Sequence, residues 1–496
     1  MLVYVFACVL LSAPVLQAVF DLPLQLAFQQ AIALTFLAWC WLKPPAERQA
    51  LRAYGKKFPG LWAAAALSLL ALLASPFKGD IFSEWANYGA GLLIFIAASF
   101  LNKEERVKTD RAAAAGAWLV FALVLAQILV LENLATRPPL TNLNALALYA
   151  VMALPLAVAR KNWLLAAAMG SIMLVSQSLG AVLASLAAAG IYAAGRFNRR
   201  EDAGNKWLLA VMLVLAVPIF YCLQADSMAG RLAWWKSAWE MFAARPLTGF
   251  GHAAFTWAQA GFQSAGAFRE HSIYAHNYYL EFLAENGLPA AAAWFWFLLA
   301  AVRSRKGVVK YSIIGALLHS CVDFGLSVPA NFWFFCYLLA EPRAVAPAET
   351  MEPAHGVKKF PAAAVFVLAL LLEAAWMNLA LKSIAFQKAG ERAVAAALPR
   401  SAGHSAPGRA DADGELLPYL NSRLFRGPAL ELLGRLSLAG PGNRDNGLSS
   451  AVYYEMALLE NPYNPRAWRA LGQIYGVPGR EASAAGLAAR KAGVYK

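Results

Sequence analysis

The sequence predicts an all-α protein: a polytopic membrane helix bundle of about 13 spans, with a large outer loop and a small C-terminal helical domain. Three observations carry this. Of the 496 residues, 60% are hydrophobic and only 15% are charged, whereas soluble domains run near roughly 45–50% and about 25%. The mean hydropathy is correspondingly high, at +0.49. The apolar residues come in nearly uncharged runs, many close to the length that a hydrocarbon slab about 30 Å thick demands of a helix. Lys and Arg gather in alternate connecting loops. A water-soluble enzyme built only of packed domains is excluded, and so is intrinsic disorder, which needs low hydrophobicity.

In chain order the candidate spans fall at 2–20, 23–42, 59–77, 84–101, 112–131, 143–159, 163–178, 179–195, 206–224, 277–302, 310–323, 328–342 and 359–381. The first has no Lys or Arg before it and no small-residue cleavage site, so it is expected to stay as a helix rather than leave as a signal peptide. The pair 163–178 and 179–195 has almost no connecting loop. With these spans, the loops of one side hold 22 Lys and Arg and the short loops of the other hold only Lys78 and Arg137. The positive-inside rule then puts the N-terminus in the cytoplasm. Segment 225–276 and the region from 383 lie on the outer side, which for a bacterial inner membrane is the periplasm. Four regions follow: N-terminal membrane helices 1–224, the outer loop 225–276, C-terminal membrane helices 277–382, and an outer helical domain 383–496.

The outer loop is too polar to span and too long to be a mere connector. Leu232, Trp235, Trp239 and Phe242 make one face of a helix, whose tryptophans suit the membrane surface. Pro246, Gly249 and Gly251 end it. In the tail, residues 451–476 are similar to one tetratricopeptide helix–turn–helix, with an Asn-Pro stop and Trp468, Leu471 and Tyr475 facing inward. A cap on the outer face and a module for a protein partner are both open for this tail.

The net charge of +14 sits in the loops between spans, so nucleic acid is not expected as a partner. The five cysteines show no CxxC spacing, which argues against a disulfide framework or a zinc site. There is no H-E-x-x-H, P-loop or GxGxxG, so neither a metal, a cofactor nor nucleotide-driven pumping is expected. Ionisable groups near a membrane are costly and mark function by default. Four of the six histidines, His252, His271, His276 and His319, fall on the outer side with Arg231 and Arg269. His319 and Asp323 are four apart, expected on one helix face. Glu281 and Glu285 are also four apart and read as a polar stripe. Guanidiniums bind phosphate as forks, and a neutral imidazole takes a proton near neutral pH. Such a set suits transfer of a sugar from a lipid diphosphate to a hydroxyl; an interface role for the histidines is equally open on these grounds.

Three ordered stretches now resemble the bacterial O-antigen ligase and polymerase superfamily. They are Arg231-x3-Trp235-x2-Ala238-x2-Met241 followed by Pro246-Leu-Thr-Gly249-Phe-Gly251, then Ala275-His276-Asn277 through Glu285-Asn-Gly287-Leu-Pro289, and then His319-Ser-Cys-Val-Asp323 through Pro329-Ala-Asn331. Asn142 and Asn144 look like a weaker, earlier feature. The resemblance implies metal-independent transfer of a glycan from undecaprenyl diphosphate to an acceptor in the periplasm: a lipid A–core glycolipid, a growing polysaccharide, or a protein. It implies that His276 is the catalytic histidine and Arg231 a diphosphate-facing arginine. Arg269, His271 and Asn277 are expected as further substrate contacts, with His319 and Asp323 as a supporting pair. The family's Ser-Arg pair is not matched: Ser176-Gln177-Ser178-Leu179 has leucine at the arginine's place. Within the superfamily, ligase, repeat-unit polymerase and protein O-oligosaccharyltransferase all remain open. A lipid-linked glycan flippase would need polar groups along the bundle interior, and a scaffold would need only the tail.

Overall fold

A backbone in hydrocarbon must satisfy its own hydrogen bonds, and the apolar runs do so as helices. The computed structural model describes residues 2–42, 56–130, 139–197, 225–262, 272–341, 359–397, 414–439, 444–462 and 464–475. Among them there is no strand. The α-helices, in order, are α1 (Leu2–Ser12), α2 (Leu22–Leu42), α3 (Pro59–Ala74), α4 (Lys78–Ala98), α5 (Lys103–Leu129), α6 (Leu143–Ala159), α7 (Trp163–Val175), α8 (Leu179–Phe197), α9 (Ala225–Ala244), α10 (Phe255–Ala258), α11 (Tyr278–Ser304), α12 (Lys310–His319), α13 (Pro329–Leu339), α14 (Lys359–Ala397), α15 (Arg426–Ala439), α16 (Arg444–Glu460) and α17 (Pro465–Tyr475). Stretches Leu22–Leu42, Lys78–Ala98, Lys103–Leu129, Tyr278–Ser304 and Phe366–Ala396 are long and apolar enough to cross a membrane. Shorter apolar helices cover most of the other expected spans. The expected span at 206–224 lies outside the described residues.

Two expectations change. The first span, 2–20, is not one helix: α1 stops at Ser12, just before Pro14, and Gln17, Ala18 and Val19 all have positive φ. Proline has no N–H to continue an α-helix, and its ring crowds the preceding turn. At the other end, the helix expected at 359–381 runs unbroken to Ala397.

Every residue of α13 is buried, as are most of α6, so these form the bundle's centre. Trp294, Trp333, Tyr149, Tyr337 and Phe335 fill it without measurable exposure beyond 1%. Around it, α3 packs along α11, α4 along α13, α12 on α6 and α8, and α1 on α5. By contrast α14 turns Val367, Leu368, Leu371 and Leu372 outward, as a lipid-facing helix should.

The C-terminal helices form their own small core. Ala451, Tyr454, Leu458, Ala467, Leu471 and Ile474 are buried together, with Trp468 and Tyr475 packed against them. Asn464 begins the second helix by accepting from the Arg466 and Ala467 amides. This unit docks on the bundle: Phe425 shares a core with Phe77, Phe82 and Phe255, and the Arg466 guanidinium lies 4.8 Å over the Trp257 ring.

Candidate active site

The site is built where segment 225–276 meets the start of α11. Helix α9 has two faces. Leu232 and Trp239 are 47% and 55% exposed, while Arg231, Ser237, Ala238 and Met241 are buried against the protein. Of the expected apolar stripe, Leu232 and Trp239 look outward while Trp235 and Phe242 are half-buried, and the face carrying Arg231 looks in. After α9 the chain turns at Gly249 and Gly251, both with positive φ. There it lies backbone to backbone on α11: the Phe250 and Gly251 amides donate to the carbonyls of Ala284 and Glu285, and the Leu288 amide donates to Pro246. A Cβ on Gly249 would strike the Glu285 backbone, and one on Gly287 would strike that of Leu247. Gly287, at φ +74°, kinks α11 at this contact. Only glycine enters this conformation without strain, so two of the sequence stretches are halves of one joint.

Glu285 clasps the same joint. Its Oε1 accepts from the Phe255 amide at 3.0 Å, and its Oε2 lies 3.9 Å from His252 Nδ1. Four residues earlier, Glu281 Oε2 accepts from the Ala275 amide at 2.7 Å and Oε1 from the Ser327 hydroxyl at 2.6 Å. These two carboxylates, which the sequence places on one polar stripe, with Glu285 also in the family-like stretch, hold the loop onto the helix.

Glu281 thereby fixes the residue before His276. His276 has φ +52°, a conformation uncommon outside glycine, and strain of this kind gathers at functional sites. Its carbonyl accepts from Trp235 Nε1 at 3.3 Å. Its ring stacks on Trp234, with centroids 4.8 Å apart, and meets the edge of Phe324 at 4.8 Å. Nδ1 faces Asp323 Oδ2 at 3.5 Å, an ion-pair separation without hydrogen-bond geometry. Asp323 Oδ1 accepts from the Gly325 amide. His319 Nε2 lies 3.4 Å from Ser178 Oγ, and the charges of Asp323 and Arg231 both reach it. Gly180 lies against the His319 ring as well. The stretch holding Leu179 therefore does border this cluster.

Three buried polar atoms here have no hydrogen-bond partner: His276 Nδ1, His319 Nδ1 and Asp323 Oδ2. Buried polar atoms are nearly always paired, so three in one cluster call for a functional explanation. Arg231 is 9% exposed. Burial works against its charge and the Asp323 carboxylate supports it, burial having the larger effect.

The expected site residues thus part company. His276, His319 and Asp323 come together, within electrostatic reach of Arg231. Helix α12 ends at His319, so Asp323 approaches from the following turn rather than along one helix face. Asn277 caps α11: its Oδ1 accepts from the Tyr279 and Leu280 amides, and its Nδ2 donates to the Cys321 carbonyl. That ties the His276 segment to the turn before Asp323. Arg269 and His271 lie outside the described residues. His252 does not join the cluster; it packs on Tyr88 at 5.1 Å and on Phe282 at 5.9 Å. Sequence reasoning gave no site role to Glu281, Trp234 or Ser178, whose roles depend on contacts between distant stretches. Among the described residues, no group of three or more His, Cys, Asp or Glu is arranged to hold a metal ion.

No curated protein matches the chain significantly. The family model described as O-antigen ligase matches residues 164–295, a span that takes in Ser178, Arg231, His276 and the Gly249–Gly287 joint and stops before His319. Residues 164–295 are therefore similar to the O-antigen ligase family, in a chain with five described helices long and apolar enough to cross a membrane.

Proposed function

We propose that the protein transfers a glycan from an undecaprenyl-diphosphate carrier to an acceptor hydroxyl on the periplasmic side of a bacterial inner membrane, without a metal. The observation that carries this is the orphaned His276–Asp323 pair beside the buried Arg231 guanidinium. Asp323 orients the imidazole through Nδ1, which leaves Nε2 to act as the base. The acceptor oxygen attacks the anomeric carbon while His276 takes its proton. The new C–O bond forms as the bond from that carbon to the phosphate oxygen breaks, and the electron pair leaves with the lipid diphosphate. Arg231 meets the charge growing there, an effect of the kind worth about 2.7–4 kcal/mol per well-placed donor. His319 and Ser178 line the cluster beside the pair. Arg269, His271 and Asn277 are proposed as further substrate contacts.

The acceptor is a glycolipid, a growing polysaccharide or a protein; the C-terminal helices, which reach the loop at Trp257, are a surface from which a protein acceptor or partner could be presented. Reconstituting the purified protein in liposomes with a lipid-linked glycan tests the reading. Sugar moved onto an acceptor supports transfer. Glycan that crosses the bilayer still attached to its lipid, with no transfer, makes the protein a flippase instead.

A further inference from the structure

On the other side of the 273–276 strap from the histidines lies a cavity of about 270 Å³. Tyr274 marks the boundary: it lines the cavity and stacks on Phe324 at 4.3 Å, while the Phe324 edge meets His276. The two sides differ in chemistry. The histidine side has Arg231 with Asp323. The cavity wall has Asp80, Glu84, Glu281 and Glu285, with His252 and the rings of Tyr88, Trp257, Tyr274 and Phe332. Asp80 and Trp257 also line an open groove of about 470 Å³ that runs between residues 76–80 and the C-terminal helices, past Arg426, Glu431 and Arg466.

Four carboxyl groups with aromatic faces, and no Lys or Arg among the lining residues, give a phosphate nothing to bind and suit a ring of hydroxyls. Each carboxylate oxygen has two lone pairs. Glu84, held by Gln25 at 2.9 Å and Asn87 at 3.0 Å, is fixed in place and keeps accepting capacity. An independent mark points to an occupant. Tyr88, 2% exposed, lines the cavity, and its hydroxyl has no hydrogen-bond partner. A buried hydroxyl without a partner is costly, and a ligand hydroxyl would relieve it. The volume lies near the lower end for small-molecule sites, about 300–1,000 Å³, which suits one sugar residue rather than a chain.

We propose that this cavity is a subsite for one neutral or amino-bearing sugar residue of the glycan, with the groove leading the rest of the chain out under the C-terminal helices. The proposal rests on the glycan-transfer reading for its biological sense, and its test stands apart from it. Full-length protein in lipid nanodiscs, free of glycoside detergent, is probed by saturation-transfer NMR with millimolar methyl glucoside, methyl glucosaminide and methyl glucuronide. The first two are expected to receive saturation and the uronide not. Tyr88→Phe, which keeps the packed ring, is expected to weaken binding about fivefold, the worth of one net hydrogen bond. Saturation of none of the three sugars, equal saturation of the uronide, or wild-type binding by Tyr88→Phe overturns the proposal. Sugar binding without any transfer activity would leave the subsite standing and remove the transferase reading. Where transfer is measured, Tyr88→Phe raises KM for the acceptor if the sugar is the acceptor's, or for the lipid-linked donor if it is the donor's. An unchanged KM for both counts against the subsite.

Discussion

Two buried polar clusters sit at opposite ends of the central helix α13, and they differ in how completely they are satisfied. Near its C-terminus, Asp110 pairs with Arg106 and Arg160 and accepts from the Tyr337 hydroxyl at 2.6 Å. Arg106 donates to the carbonyls of Tyr337 and Ala340 and lies 3.9 Å over the Tyr337 ring. Thr109 closes the set on Tyr337. Before its N-terminus, His276, His319 and Asp323 keep three orphaned atoms. The first cluster is a clasp joining α5, α6 and α13, with its polar groups used up by the fold. The second keeps polar groups in reserve for something the fold does not supply.

The largest effect is expected at the clasp. Asp110→Ala leaves Arg106 buried with an uncompensated charge, a change that costs about 3–5 kcal/mol. Thermal unfolding of the purified variant should drop sharply. An unchanged Tm would mean that the satisfied cluster is ornamental and that the contrast with the His276 end teaches nothing.

Next comes the joint that carries the site. Gly287→Ala forces a side chain into a left-handed backbone against Leu247, and strain of this type costs about 1–3 kcal/mol. Both Tm and transfer should fall. Normal transfer at reduced stability would separate the joint from the chemistry.

Glu281→Gln sharpens the comparison from the other side. Glu281 touches none of the reacting groups proposed here and acts by fixing Ala275, next to His276. As a positioning residue it should lower kcat about ten- to a hundredfold, the scale set by small misplacements, with little change in Tm; because it also lines the cavity proposed as a sugar subsite, KM should rise as well. A rise in KM with kcat intact would leave Glu281 in the cavity wall alone.

The smallest effect is in acid. Burial pushes the His252 imidazole down from 6.5 to about 4. The unfolded chain therefore binds a proton that the folded chain refuses between those values. His252 contributes stability above pH 6.5 that drains away as pH falls toward 4. His252→Gln should flatten the decline of Tm across that window, and an equally steep decline would assign it to other groups.

Much of this was legible in the sequence, and the part that was not has a common cause. The spans could be read because hydrocarbon imposes a length and a composition on every helix. His276, Asn277, Glu285 and Gly287 could be singled out because they fall in one short stretch that resembles the superfamily's. The partners of that stretch could not. Asp323 reaches His276 across 47 positions of sequence, and Glu84, Tyr88 and Asp80 on α4 meet Glu281 and Glu285 only through the packing of α4 beside α11 and α13. Helix α9 is legible only in part for a related reason: its apolar stripe is obvious, but the face that carries Arg231 is defined by what it packs against. The break after Ser12 was available locally, in Pro14, and was outweighed by the apolar run around it.

The central claim is that His276, oriented by Asp323, takes the acceptor's proton. The measurement that bears on it most directly is the single-turnover transfer rate of purified His276→Ala, with Asp323→Asn and Asp110→Asn measured beside it on a lipid-linked glycan. The account predicts transfer abolished in His276→Ala, strongly slowed in Asp323→Asn, and retained by whatever Asp110→Asn protein stays folded. Transfer by His276→Ala at the wild-type rate would contradict it.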